Sequence, residues 1–144
     1  VSLVSGFLEP WLSLDQLNKN LEADPELLQA MQTEARLFLE SQLREDHSVL
    51  DLWTANYTYL NERLARHYGI SGVVGAQFRR VTLDAKERWG LLGKGAVLLR
   101  TSYGDRTSPV LRGAWVLDKL MGTPPSPPPP RVDWRRPGPA ARVK

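Results

Sequence analysis

The chain has 144 residues, enough for one domain, and its 42% hydrophobic and 24% charged content is that of an ordinary globular protein. It has no cysteine, which excludes disulfides, thiolate metal sites and covalent CxxCH haem attachment within these residues. Charge is uneven: residues 1–123 carry 14 basic and 15 acidic side chains, whereas residues 124–144 carry five basic ones and only Asp133. The basic end reads as a solvated tail, and with no basic stripe on a helix the pattern argues against a nucleic-acid partner. No apolar run reaches the roughly 18 residues of a membrane span. Four tryptophans in the foldable part (Trp11, Trp53, Trp89, Trp115) read as core anchors.

In chain order, residues 7–21 place Phe7, Trp11, Leu14 and Leu17 at helical spacing, with Pro10 in a first turn or at a kink. Asp24, Pro25 and Glu26 then spell a helix start, and Leu27, Leu28, Met31, Ala35, Phe38 and Leu43 form an apolar stripe over about 25–45. Gln32, Glu34, Arg36 and Glu40 fall mostly outside that stripe. Residues 46–56 read as a connection anchored by buried Val49, Leu50, Leu52 and Trp53. Asn56 is placed to cap a helix from Tyr57 to about His67 with Tyr57, Leu60, Leu64 and Tyr68 on one side, closed by Gly69 and Ile70.

Residues 71–76 are loop and Phe78–Leu83 is the one convincing strand. Gly93 and Gly95 weaken a helix over 91–100 or else permit close helix approach. Turn chemistry at 101–107 leads to Ser108 as cap, Pro109 at the first helical position and a helix carrying Val110, Leu111, Ala114, Trp115, Leu117, Leu120 and Met121. Gly122 ends it, and TPPSPPPP beyond is an extended, semi-rigid polyproline spacer or a PxxP ligand. The expected fold is mainly α: four to six helices over 1–123, at most a minor strand pair, and a disordered Pro-rich linker and basic tail over 124–144.

Candidate chemistry is sparse. Arg106, Thr107, Ser108 and Arg112 surround a helix start and form a candidate anion-binding group, against the plainer reading of a cap with Asp105 pairing an arginine. His47 and His67 lack metal-ligand spacing, and His67 suits a helix C-terminus as a charge. Non-covalent haem ligation by His67 or Met121 has little behind it. The carboxylate pairs Asp46/Asp51 and Glu87/Asp105 have no spacing that unites them, and GLLGKG over 90–95 has the wrong spacing for a phosphate loop. No catalytic or metal-binding residue is assigned, and no cofactor is expected in this chain.

The segments NYTYLNERLARHYGI (56–70), FRRVTL (78–83), WGLLGKGAVLL (89–99) and RTSPVLRGAWVLDKLMGTPPSPPPP (106–130) occur in an order that resembles a pair of domains of unknown function, 1592 and 1588. These are planctomycete-specific domain four and planctomycete cytochrome-like domain three; FLEPWLSLDQL and EARLFLESQLREDHSVLDLW also resemble the first. The resemblance implies a first family segment over about 7–85 and a second over about 86–123, within a larger periplasmic or secreted, cytochrome-c-associated bacterial protein. A haem c group is expected only in a separate domain of that parent, and the partners expected are its neighbouring domains. After Pro130 the chain departs from the resemblance, and its start at Val1 without a signal-peptide pattern suggests a piece of something longer. The expected role is a non-catalytic structural or interaction module; the alternative is an enzyme domain acting on an extracellular substrate through the 100–112 loop.

Overall fold

The structure, a computed structural model, describes residues 3–19, 24–103 and 106–127. The expected disorder of the tail from residue 128 onward, and the Asp105 pairing, lie outside these residues. A π-helical turn over Val4–Leu8 runs into α1 (Glu9–Trp11), which has Pro10 in its first turn, where a missing N–H costs nothing. The helix stops at Ser13, which takes φ 57°, and a 3-10 segment follows over Leu14–Lys19. That break changes what is buried. Val4, Leu12, Leu14 and Leu17 enter the core, while Phe7 and Trp11 stack on each other at 6.0 Å on the outside.

The spine is α2 (Pro25–Arg44). Its start is as the sequence requires: the Glu26 N–H donates to Asp24 Oδ1 at 3.0 Å, with Pro25 at the first helical position. Arg63 also pairs with the Asp24 carboxylate, tying the helix start to a later element. Leu28, Met31, Ala35 and Phe38 are buried as the stripe predicts, but Leu43 is exposed and Glu34 is buried. After α2 comes α3 (Asp51–Thr54), one short turn. Val49, Leu50 and Trp53, read as buried anchors, are exposed. Of the four tryptophans only Trp115 is buried.

Residues 57–60 are a strand, not the helix expected from Asn56. The strand β1 (Tyr57–Leu60) pairs antiparallel with β2 (Arg79–Thr82), in the register Tyr57 with Thr82 and Leu60 with Arg79. The Tyr-Thr-Tyr run has strand propensity, and β2 supplies the ladder that a helix would have supplied internally. The helix begins later, as α4 (Glu62–Tyr68), capped by Asn61, whose Oδ1 accepts the Leu64 N–H at 2.9 Å. It ends as expected: Gly69 takes φ 71° and the Ile70 N–H returns to the Ala65 carbonyl at 2.9 Å.

Two 3-10 turns, Lys86–Arg88 and Leu91–Gly93, lead to α5 (Gly95–Arg100), which lies against α2 and the 3-10 segment at Leu14–Lys19. Gly95 is a close-approach glycine: a Cβ there would collide with the Tyr68 hydroxyl and press on Met31. The last helical elements among the described residues are α6 (Pro109–Trp115) and a π-helical turn over Val116–Leu120. Ser108 caps α6 by accepting the Leu111 N–H at 3.2 Å, and Gly122 at φ 64° follows the π-helical turn. Trp115 anchors this end through Nε1, which donates to the Leu12 carbonyl at 3.2 Å. The fold is mainly α, with six α-helices and one two-stranded sheet among the described residues.

Candidate functional site

The densest concentration of chemistry is a buried polar centre between α2, β1, α4 and the start of α5. Glu34 is 1% exposed and Lys94 is fully covered. The helical period of α2 brings Glu34 onto the same side as Met31 and Phe38, three residues after one and four before the other, and its carboxylate meets donors from three elements. Thr58 Oγ1 donates to Glu34 Oε1 at 2.6 Å and the Tyr68 hydroxyl donates to Oε2 at 2.6 Å. The Gly95 N–H reaches Tyr68 at 3.0 Å and Glu34 Oε2 at 3.3 Å. Gly95 therefore does two jobs: it lacks the side chain that would block Tyr68, and it supplies a donor.

Lys94 sits beside this group. Its Nζ donates to the Tyr57 carbonyl at 2.9 Å and lies 4.3 Å from the Phe38 ring centroid, a cation–π arrangement. Burial lowers its pKa to about 8, with the Glu34 charge opposing that fall. Burial pushes the Glu34 carboxyl up, against the hydrogen bonds from Thr58 and Tyr68 and the nearby Lys94. The Tyr68 hydroxyl is also raised, by burial first and then by the Glu34 charge. Three perturbed groups at one place are the usual mark of a functional site. Here they are enclosed, Tyr68 hydrogen-bonded to Glu34 and Lys94 to the Tyr57 carbonyl, the arrangement that specifies a unique packing.

The polar centre meets solvent along one edge. The Arg88 guanidinium lies 4.0 Å over the Tyr68 ring, and a cavity of about 390 Å³ opens there, lined by Tyr68, Ile70, Leu83, Asp84, Glu87 and Arg88. On another side of the molecule an apolar groove of about 180 Å³ is lined by Leu8, Trp11, Leu39, Leu43, Leu52 and Leu120, with Gln42 and His47 at its edge. Gln42 gives its Nε2 proton to the Tyr57 hydroxyl at 2.7 Å, and its Oε1 has no hydrogen-bond partner among the described residues.

The residues singled out by sequence are placed as follows. Arg106 stacks over Tyr103, 5.0 Å from its centroid; Thr107 closes the loop through a bridge to Ser102; Ser108 is spent on its cap; and Arg112 Nε donates to Thr101 Oγ1 at 3.3 Å. The candidate anion-binding group is thus near in space but engaged in local contacts. His47 is held between Glu45 at 2.8 Å and Asp51 at 3.3 Å. His67 lies against Tyr68 in the last turn of α4. Among the described residues no three His, Cys, Asp or Glu side chains form a metal-holding group. The centre at Glu34 and Lys94 was missed by sequence reasoning. Its signal was the spacing 27, 31, 34, 38, which puts a glutamate on the buried stripe.

Two family models match the chain. Residues 1–70 match PSD4, a protein of unknown function (DUF1592), and residues 88–143 match PSCyt3, a protein of unknown function (DUF1588). The second match includes residues 131–143, which resembled nothing when read alone. Comparison with curated proteins and with solved structures finds no match. One polypeptide thus carries, in order, a segment similar to PSD4 and a segment similar to PSCyt3.

Proposed function

We propose that this chain is a non-catalytic interaction module of a larger secreted, cytochrome-c-associated bacterial protein. Its apolar groove would dock neighbouring domains of the same parent, and the proline-rich segment would act as spacer. One observation carries the reading: large apolar side chains are left outside while the charged chemistry is sealed inside. Trp11, Leu43 and Val49 line the groove and are exposed, with Phe7 stacked on Trp11, whereas Glu34 and Lys94 are covered. A contiguous apolar surface of this kind marks a contact site more often than a solvated one. The engaged side chains of Arg106, Ser108 and Arg112 favour this reading over an enzyme working through the 100–112 loop. Haem, if the parent carries it, belongs to another of its domains, and the periplasmic or secreted setting follows from the family resemblance.

Hydrogen exchange on the parent protein and on this chain alone tests the proposal. Amides over residues 43–53 should exchange about tenfold or more slowly in the parent, because docking removes local opening. Equal exchange in both would sink it.

A further inference from the structure

We infer that the PSD4 and PSCyt3 segments are two halves of one folding and binding unit, in which residues 88–127 are the obligate partner of the surface built by residues 3–70. The buried polar centre is divided between them. Glu34, Thr58 and Tyr68 lie in the first matched segment; Lys94 and the Gly95 N–H lie in the second. Taking either half away leaves a buried group of the other without its complement, which is more costly than never having built the group. The Lys94 ammonium has its hydrogen bond to Tyr57 and its ring contact with Phe38, both on the far side of the division.

The apolar core is divided in the same way. Ala96 and Val97 of α5 are fully covered and lie against α2. Gly90, at φ 61°, donates its N–H to the Ala55 carbonyl at 2.9 Å, and an added Cβ would stand 2.5 Å from the Trp53 carbonyl oxygen. Trp115 closes the far end on Leu12. The second segment has little to fold on by itself: α5 has six residues and α6 seven, both below the roughly 12–15 at which an isolated helix becomes even marginal.

Both openings lie across this seam. The groove takes Trp11 and Leu43 from the first segment and Leu91 and Leu120 from the second. The other cavity joins Tyr68 to Arg88. A partner that occupies either of these two reads both halves at once. This holds whether or not the groove docks a neighbouring domain.

The test is a cut in the whole chain. A site-specific protease sequence is inserted between the exposed residues Asp84 and Ala85, and the folded chain is cleaved there. The two pieces should co-elute in size exclusion and melt in one transition, and Ala96→Asp in the cut chain should release them. Pieces that separate and both lose helicity support the inference equally, since neither then folds alone. Pieces that separate while each keeps its own cooperative melt overturn it. If the insertion itself prevents folding, native-state hydrogen exchange of the uncut chain decides. Amides of residues 35–39 and 97–99 should open together, and two clearly different opening equilibria would refute the single unit.

Discussion

Helices α2 and α6 start with the same local chemistry. Asp24 before Pro25 and Ser108 before Pro109 each set a capping oxygen ahead of a proline at the first helical position. From there they diverge. The helix α2 runs for 20 residues and sends Leu28, Met31, Glu34, Ala35 and Phe38 into the interior, whereas α6 buries only Trp115 and leaves Val110 81% exposed. The difference teaches that a cap decides where a helix begins and says nothing about what will cover its apolar side. For α2 the cover is in this chain; for Val110, Leu117 and Met121 it is not among the described residues.

The contrast is most sharply broken or upheld by truncating each helix. Phe38→Ala should cost about 3–5 kcal/mol of folding stability in a urea titration, since the ring is fully covered and its loss leaves a cavity under Lys94. Val110→Ala should stay within about 0.5 kcal/mol. Similar costs at the two sites would mean that α6 is packed as tightly as α2.

A second test uses proton linkage at the polar centre. Lys94 has its pKa lowered to about 8 by burial, below its ordinary 10.5. Between these values the unfolded chain binds a proton that the folded chain does not, so stability rises with pH from about 8, and the cost is fully present below that. Tyr68 is shifted upward and acts oppositely above its ordinary 10.0, so the rise should be confined to about pH 8–10. A gain of about 2 kcal/mol over this window, absent in Lys94→Met, is the expected result of chemical denaturation. A flat profile in the unsubstituted chain would show that Lys94 is hydrated.

The smallest effect separates the caps themselves. Asn61→Ala should lower global stability by about 1 kcal/mol, because α4 carries Leu64 and Tyr68 into the core. Ser108→Ala removes an equivalent bond, yet should appear as faster exchange of the amides over 109–115 with the global melting midpoint little changed. Equal global losses would mean that the start of α6 does not fray locally and opens only with the whole unit, as α4 does.

What could be read from the residues follows the range of the forces involved. The caps at Asp24 and Ser108, the Gly69 ending and the strand at 79–82 depend on a few neighbouring positions and were legible, whereas the cap of α4 is Asn61 and not Asn56 as expected. The strand at Tyr57–Leu60 was not, because Tyr57, Leu60, Leu64 and Tyr68 imitate a helical stripe while the decisive partner lies some 20 positions away in β2. Val49, Leu50 and Trp53 were read as anchors because apolarity states a preference for burial without naming the partner. Glu34 was assigned outward by its charge although its spacing placed it inward; only Thr58, Tyr68 and Gly95, brought from distant positions, make that burial tolerable.

The seam also sets a timetable for synthesis. Glu34 meets Gly95 across 61 positions, and Trp115 meets Leu12 across 103. At a ribosomal rate of about 5–20 residues per second, Lys94 emerges roughly 3–12 s after Glu34. Over the last 24 positions up to Lys94, after Ile70, the first half is chemically complete but has no complement for its glutamate and no cover for its α2 face. The nascent chain must wait, and the family pair is vulnerable to aggregation and proteolysis in proportion to how slowly its second half arrives.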